Sequence, residues 1–304
     1  MIKDFFSKEG DLNKILEHKY LNDQMYHRFN YSKLTWFYDR FKSFVGEEET
    51  TIEDFFNFSQ SAQFIGGQFK RANISYKANT IHKWLTDYIA CFINDRIDYA
   101  NIPEYYTKFI NHCFNNKSAV ITFNYDLILE TLFDKIGASF NYNQNRSLTS
   151  LRQGITSVTS GIDYLKLHGS LNWMTCSKCK KINIFRSINS FAFSQRCRKS
   201  NCNGKLRLFI VPPVWGKNKY ATLLKPLWKR ALDLLENAKR IVVIGYSFPN
   251  YDLLALSLVR AAVLINHALQ IEVVNGTKSD YSKFEKTPEV ICNKIDFKDY
   301  ASTL

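Results

Sequence analysis

The chain is poor in the two residues that most often interrupt regular structure. It holds 6 prolines and 12 glycines among 304 residues, which excludes collagen-like and long Pro/Gly-rich disordered architectures. No apolar run reaches the length of 18 or more that a membrane-spanning helix requires. The opening residues, Met1-Ile-Lys-Asp-Phe-Phe, lack the basic, apolar and small-residue zones of a signal peptide. The cytoplasm is therefore the expected compartment, with no membrane partner. Uninterrupted blocks of five basic residues, internal repeats and low-complexity tracts are also missing. What remains is a composition suited to a packed core, 45% hydrophobic and 15% aromatic.

The formal net charge is +13, from 41 Lys and Arg against 28 Asp and Glu. Such an excess favours phosphate-bearing partners such as nucleic acid and nucleotides, or acidic proteins. The charge reads as spread along the chain. A Lys- and Asn-rich composition alone would give the same excess.

Residues 1 to about 115 read as mostly helical. The segments 23–44, 51–69 and 81–97 carry aromatic and aliphatic residues at three-to-four spacing. Thr51-Ile-Glu-Asp resembles a helix start, and Thr80 is placed to cap the helix that carries Trp84. From Ser118 short apolar runs alternate with helical ones. Strands are expected at 118–123, 164–168, 206–211, 240–245 and 270–275, and helices at 126–136, 224–238 and 252–268. That alternation predicts an α/β fold with a parallel sheet. Residues 143–161, rich in Asn, Ser, Thr and Gly, read as a long loop.

Seven cysteines are present, and four cluster as Cys176, Cys179, Cys197 and Cys202. Thiolates two to four residues apart can share one tetrahedral ion, and two such pairs close the shell. The expected cofactor is a structural zinc, with Asn203-Gly204 supplying a tight knuckle turn. Cys91, Cys113 and Cys292 stand alone in apolar segments. Without a secretion signal, a disulfide framework is the weaker reading.

Two strand ends carry chemistry. Ala119-Val-Ile121 leads into Thr122-Phe-Asn-Tyr-Asp126, and Tyr164-Leu-Lys-Leu167 leads into His168-Gly-Ser170. In an open α/β sheet, ligands bind at the carboxyl ends of the strands. Each residue also has a plain structural reading. A His before Gly can satisfy a buried backbone group, Asp126 can cap a helix, and Asn124 can sit in a turn.

Thr122–Asp126, Lys166-Leu-His-Gly-Ser-Leu-Asn-Trp173, the four-cysteine insert and Ile244-Gly-Tyr-Ser-Phe-Pro-Asn-Tyr-Asp252 follow one another in that order. Together they resemble the sirtuin-like domain, specifically its bacterial branch associated with antiphage defence, over roughly residues 51–275. The resemblance implies a Rossmann-like sheet with a helical N-terminal region (1–116) and a zinc-binding insert (176–206) that separates two parts of the core (117–175 and 207–304). It implies NAD as substrate, with Asn124, Asp126 and His168 as catalytic candidates. Thr122, Gly245, Tyr246, Ser247 and Asn275 become candidate cofactor contacts. Cleavage of the nicotinamide–ribose bond passes through an oxocarbenium-like state, and a His is suited to accept a proton near neutral pH. The implied activity is NAD cleavage to nicotinamide and ADP-ribose. Protein deacylation, or a catalytically defective scaffold that binds nucleic acid or a partner, are the alternatives. Homo-oligomers and a defence-system partner protein also belong to what the resemblance implies.

One family element is missing. A Gly-Ala-Gly-x-Ser loop, whose glycines let backbone amides approach a pyrophosphate, normally opens such a domain. The early glycines here are Gly10, Gly46, Gly66 and Gly67. Gly66-Gly67 reads as part of a helix-like region, far from a strand start. The chain is expected to begin just after its phosphate loop, through a misassigned start, a truncation or a loss of NAD chemistry. Weak NAD binding is expected in consequence.

Overall fold

The computed structural model describes residues 31–46, 52–142, 149–150, 161–185, 196–197, 199, 201–212, 218–246, 252–276 and 290–304.

The N-terminal part contains helices α1 (Tyr31–Val45), α2 (Ile52–Phe64), α3 (Ala78–Asp95) and α4 (Glu104–Asn115). Helix α3 shows why this region packs. Ile81, Leu85, Tyr88, Ile89 and Phe92 recur at helical spacing and are buried against Leu34, Phe37, Tyr38, Phe55 and Phe56 of the first two helices. Each such side chain contributes about 2 kcal/mol by burial. Truncation of the fully buried Leu85 to Ala would cost about 2–5 kcal/mol.

The helical expectation for this part needs correcting at two points. The segment 51–69 is not one helix: α2 ends at Phe64, and an antiparallel hairpin of β1 (Gln68–Arg71) and β2 (Ile74–Lys77) follows. Gly66, at φ +74°, turns the chain out of the helix, and Gly67 leads straight into β1. The glycine pair thus stands next to a strand start, at the exit of a helix. Thr80 is not a cap, because α3 begins at Ala78 with Lys77 preceding it. Thr51, the other expected helix start, lies outside the described residues.

The rest of the chain follows the expected alternation. In order come β3 (Val120–Thr122), α5 (Ile128–Ile136), β4 (Phe140–Asn141), β5 (Thr149–Ser150), β6 (Ile162–Lys166), β7 (Gly169–Cys176), β8 (Ile182–Ile184) and β9 (Leu206–Ile210). Then come α6 (Asn218–Glu236), β10 (Arg240–Ile244), α7 (Leu253–Ile265), β11 (Gln270–Val274), β12 (Val290–Asn293) and α8 (Phe297–Ser302). All five expected strands and all three expected helices of this part are present, each shifted by a few residues at its ends.

The parallel strands form two sets of three, ordered β3-β6-β4 and β10-β11-β12. Among the described residues β3 and β10 are not hydrogen-bonded to each other, so each presents an edge. A single hydrophobic cluster joins the two sets, running from Val120, Leu165 and Leu167 to Ile241, Ile271 and Val273. The fold is therefore mixed α/β, with a parallel core and helices packed on it. A third sheet, β5-β8-β7-β9, carries the cysteine module, and its central strand β7 is almost wholly buried. No helix among the described residues is long and apolar enough to cross a membrane.

Candidate functional site

Strand β3 ends at Thr122, and the chain turns there. The Asn124 amide donates to Thr122 Oγ1 at 3.1 Å, and the Leu167 amide donates to the Thr122 carbonyl at 3.0 Å. Asn124 itself is exposed. Tyr125 points inward, donating its hydroxyl to the Val211 carbonyl, and its own carbonyl accepts from the Leu171 amide at 2.9 Å. Asp126 Oδ1 accepts from the Ile128 amide at 3.0 Å, in the first turn of α5. Asp126 thus meets the first amide of the helix, but the N-cap position itself belongs to Leu127, which makes no side-chain cap bond. Burial pushes the Asp126 carboxyl up, while the Lys166 ammonium pulls it back down.

Beneath this loop lies Lys166, with no exposed surface. Its Nζ donates to Glu130 Oε1 at 2.8 Å, to the Tyr125 carbonyl at 3.4 Å and to the Asp126 carbonyl. Glu130 also accepts from the Tyr142 hydroxyl at 2.8 Å and the Tyr164 hydroxyl at 3.1 Å. The buried charge pair is therefore fully satisfied, as its burial demands.

His168 lies two residues beyond the end of β6 and is 7% exposed. Gly169 explains the His-Gly pairing. It sits at φ +80°, and a Cβ there would collide with the Phe209 carbonyl oxygen on β9. The His168 carbonyl accepts from the Val211 amide at 2.8 Å, which holds the backbone at this turn. Its Nε2 lies 3.2 Å from Asp252 Oδ2. The Phe123 ring centre is 4.9 Å from the imidazole, and Trp228 is 6.3 Å away.

The sequence places Asp252 at a helix start. It stands at the N-terminal boundary of α7, yet its side chain makes no cap bond there. The carboxylate, 1% exposed, turns to His168 and accepts from the Tyr246 hydroxyl. Tyr246 in turn stacks on Phe123 with ring centres 4.5 Å apart. The Asn275 side chain donates through Nδ2 to the Tyr246 carbonyl at 3.2 Å. Gly245, at φ +65°, donates its amide to Val274 at 2.9 Å and sets the turn that delivers Tyr246.

The ends of β3, β6, β10 and β11 therefore converge. His168, Tyr246 and Asn275 join one connected set, together with Asp252, Phe123 and Trp228, which sequence did not assign to it. Thr122 and Asn124 shape the adjoining turn, and Asp126 is turned toward α5. Ser247 lies outside the described residues. Such a set can hold a polyhydroxylated ligand and orient an imidazole for proton transfer.

The metal-ligand expectation concerns a separate place. The sulfurs of Cys176, Cys179, Cys197 and Cys202 all lie within 4.8 Å of one another. Cys176 and Cys202 are 3.5 Å apart, and Cys179 and Cys197 3.7 Å. Zinc with bonds of about 2.3 Å to four thiolates would set those edges near 3.8 Å, so the donor set fits. Gly204 is required here, because a Cβ would stand 2.5 Å from Cys176 Sγ. Burial opposes ionisation of Cys176, but the Cys179 and Lys178 amides and the neighbouring thiols bring it down to about 6. Burial pushes Cys197 up to about 12. Four protein ligands leave no open position, so the ion's role would be structural.

No protein-family model matches the sequence, and no curated protein matches it. Solved structures similar to the chain include a Sir2 homologue in complex with NAD, at 16% identity over 71% of this chain and 69% of that one, with a TM-score of 0.43. Others are Sir2 bound to an acetylated peptide, at 15% identity, 66% and 67% coverage and a TM-score of 0.38, and a structure on sirtuin substrate affinity, at 16%, 66% and 68%, and 0.39.

Proposed function

We propose that the chain is a sirtuin-like enzyme that consumes NAD, cleaving it to nicotinamide and ADP-ribose, as an effector of prokaryotic antiviral defence. The supporting observation is the His168–Asp252 pair, set among Phe123, Tyr246 and Asn275 at the carboxyl ends of parallel strands. The defence role rests on the motif resemblance.

The chemistry asks little of a general acid. The pyridinium nitrogen of NAD is already positive and becomes neutral as nicotinamide leaves. The ribose carbon left behind is electron-poor and is attacked by water. In this reading Asn124 holds that water or a ribose hydroxyl, and Asp126 steadies the nicotinamide side. His168 takes up the proton as the new C–O bond forms, and Asp252 holds the imidazole in the orientation this requires. Thr122, Gly245, Tyr246, Ser247 and Asn275 contact the cofactor. Phe123, stacked on Tyr246, offers an aromatic face beside the imidazole.

The test is nicotinamide release from NAD by the purified zinc-loaded chain, followed by chromatography. His168→Ala and Asn124→Ala are each expected to abolish it. NAD loss persisting in both variants rejects the site. Deacylation of an acetylated peptide without NAD cleavage in its absence would make the protein a deacylase. Calorimetry of NAD binding, expected to be weak, separates binding from turnover.

A further inference from the structure

The positive charge is not spread evenly, as it first reads. Between Asp163 and Asp233 the sequence contains no acidic residue and fifteen Lys and Arg. Outside that stretch 26 basic residues face 28 acidic ones, so the whole positive excess of the chain lies within it. Its centre is the cysteine module.

The fold gathers part of this charge on one small surface. Arg196 and Lys205 face each other across an antiparallel bridge. The Cys197 amide donates to the Gly204 carbonyl at 2.7 Å, and the Ser177 amide to the Lys205 carbonyl at 2.9 Å. These bonds bring Lys178 alongside Gly204. The Cys202 amide donates to the Lys199 carbonyl at 3.1 Å, which holds Lys199 on the same knuckle. Lys178, Lys180, Arg196, Lys199 and Lys205 are all exposed. Two other members of the stretch are already paired: Lys166 with Glu130 at 2.8 Å and Arg230 with Asp163 at 2.7 Å.

A zinc ion with four thiolates carries a net charge of −2, which two of the lysines would balance. The surplus remains. Like charges directly opposite on paired strands are destabilising, so the Arg196–Lys205 pairing has a cost that a bound polyanion would relieve. Among the described residues, this surface shows no apolar anchor of the kind a protein interface uses. Among the described residues the large exposed hydrophobics, such as Phe44, Phe64 and Leu264, lie elsewhere.

We propose that the cysteine module is a nucleic-acid-binding surface that grips the phosphate backbone through Lys178, Lys180, Arg196, Lys199 and Lys205. Such binding is sequence-independent and strongly salt-dependent, because each neutralised phosphate releases counterions. It is independent of NAD cleavage.

The experiment is fluorescence anisotropy of labelled duplex and single-stranded oligonucleotides with the full zinc-loaded chain, across a salt series. The triple substitution Lys178→Ala, Lys199→Ala, Lys205→Ala is expected to weaken binding at least tenfold at low salt. It should also reduce the duplex log–log salt slope by about 2.7, or 0.9 for each phosphate contact. A control triple at the exposed lysines Lys108, Lys135 and Lys239, on elements outside the module, removes the same charge and should leave binding nearly unchanged. Zinc content measured on each variant confirms that the module remains intact. Equal losses in the two triples would reduce the effect to net charge and overturn the assignment. So would the absence of binding at low salt, or competition by polyglutamate as strong as by unlabelled oligonucleotide.

Discussion

The His168 imidazole and the Asp252 carboxylate meet at 3.2 Å, although 84 positions separate them in the chain. The histidine lies just past the end of a strand of one parallel set, and the aspartate opens the helix that follows β10 of the other. Asp252→Asn keeps a side chain of the same shape and removes the charge. It is expected to lower kcat for NAD cleavage on the order of 10²-fold with little change in KM. An equal loss for Asp252→Asn and Asp252→Ala, together with a drop in folded fraction by circular dichroism, would show the pair to be structural only.

The Lys166–Glu130 pair sits below the loop that carries Asn124. Lys166→Met strands a buried carboxylate and is expected to cost about 3–5 kcal/mol in urea denaturation. The double variant Lys166→Met/Glu130→Leu removes both charges and should recover much of the loss. Failure to recover would mean that the carbonyls of Tyr125 and Asp126 depend on the ammonium more than Glu130 does.

Asp126 gives a pH dependence with a definite sign. Its folded carboxyl is raised by burial, so it holds a proton that the unfolded chain has already released. That contribution favours folding in acid and is lost as pH rises through the folded value. Asp126→Asn removes the titration and keeps an acceptor for the Ile128 amide. The variant should therefore gain stability relative to the parent as pH rises from acidic to neutral, read from urea midpoints. A parallel pair of curves would count against the raised carboxyl.

Zinc retention should depend on Gly204. With a Cβ 2.5 Å from Cys176 Sγ, Gly204→Ala has to displace a ligand or its strand. A loss of about 10- to 100-fold in zinc affinity is expected, measured by competition with a chromogenic chelator. Stripping the metal from the parent should loosen the cluster of Leu171, Met174, Leu206 and Leu208 packed on the cysteines, visible as a lower thermal midpoint. Unchanged retention in Gly204→Ala would show that the knuckle relaxes freely.

Much of the parallel core was legible because short apolar runs such as Ile241-Val-Val-Ile244 alternate with helical ones, although that run is itself only partly buried. The β1–β2 hairpin was not. Its four-residue strands carry polar residues and one modest alternation, and the turn at Ala72 adopts φ +50° without a glycine to advertise it. The cysteine module was legible from spacing alone. Asp252 was hidden for a different reason. An aspartate before an apolar helix normally caps it, and only tertiary packing turns this one away. Lys166 was hidden because a lysine is almost never fully buried, so nothing in a strand sequence marks one that is.

Lys166 has a consequence for how the site can adapt. Its donors are committed to two backbone carbonyls and a carboxylate. The 123–126 loop cannot slide without stripping a charge of its partners in a dry interior. That wall behaves as an anvil. Accommodation of an incoming molecule falls to the opposite wall, where the exposed Gly245 turns at φ +65° and Tyr246 hangs from it.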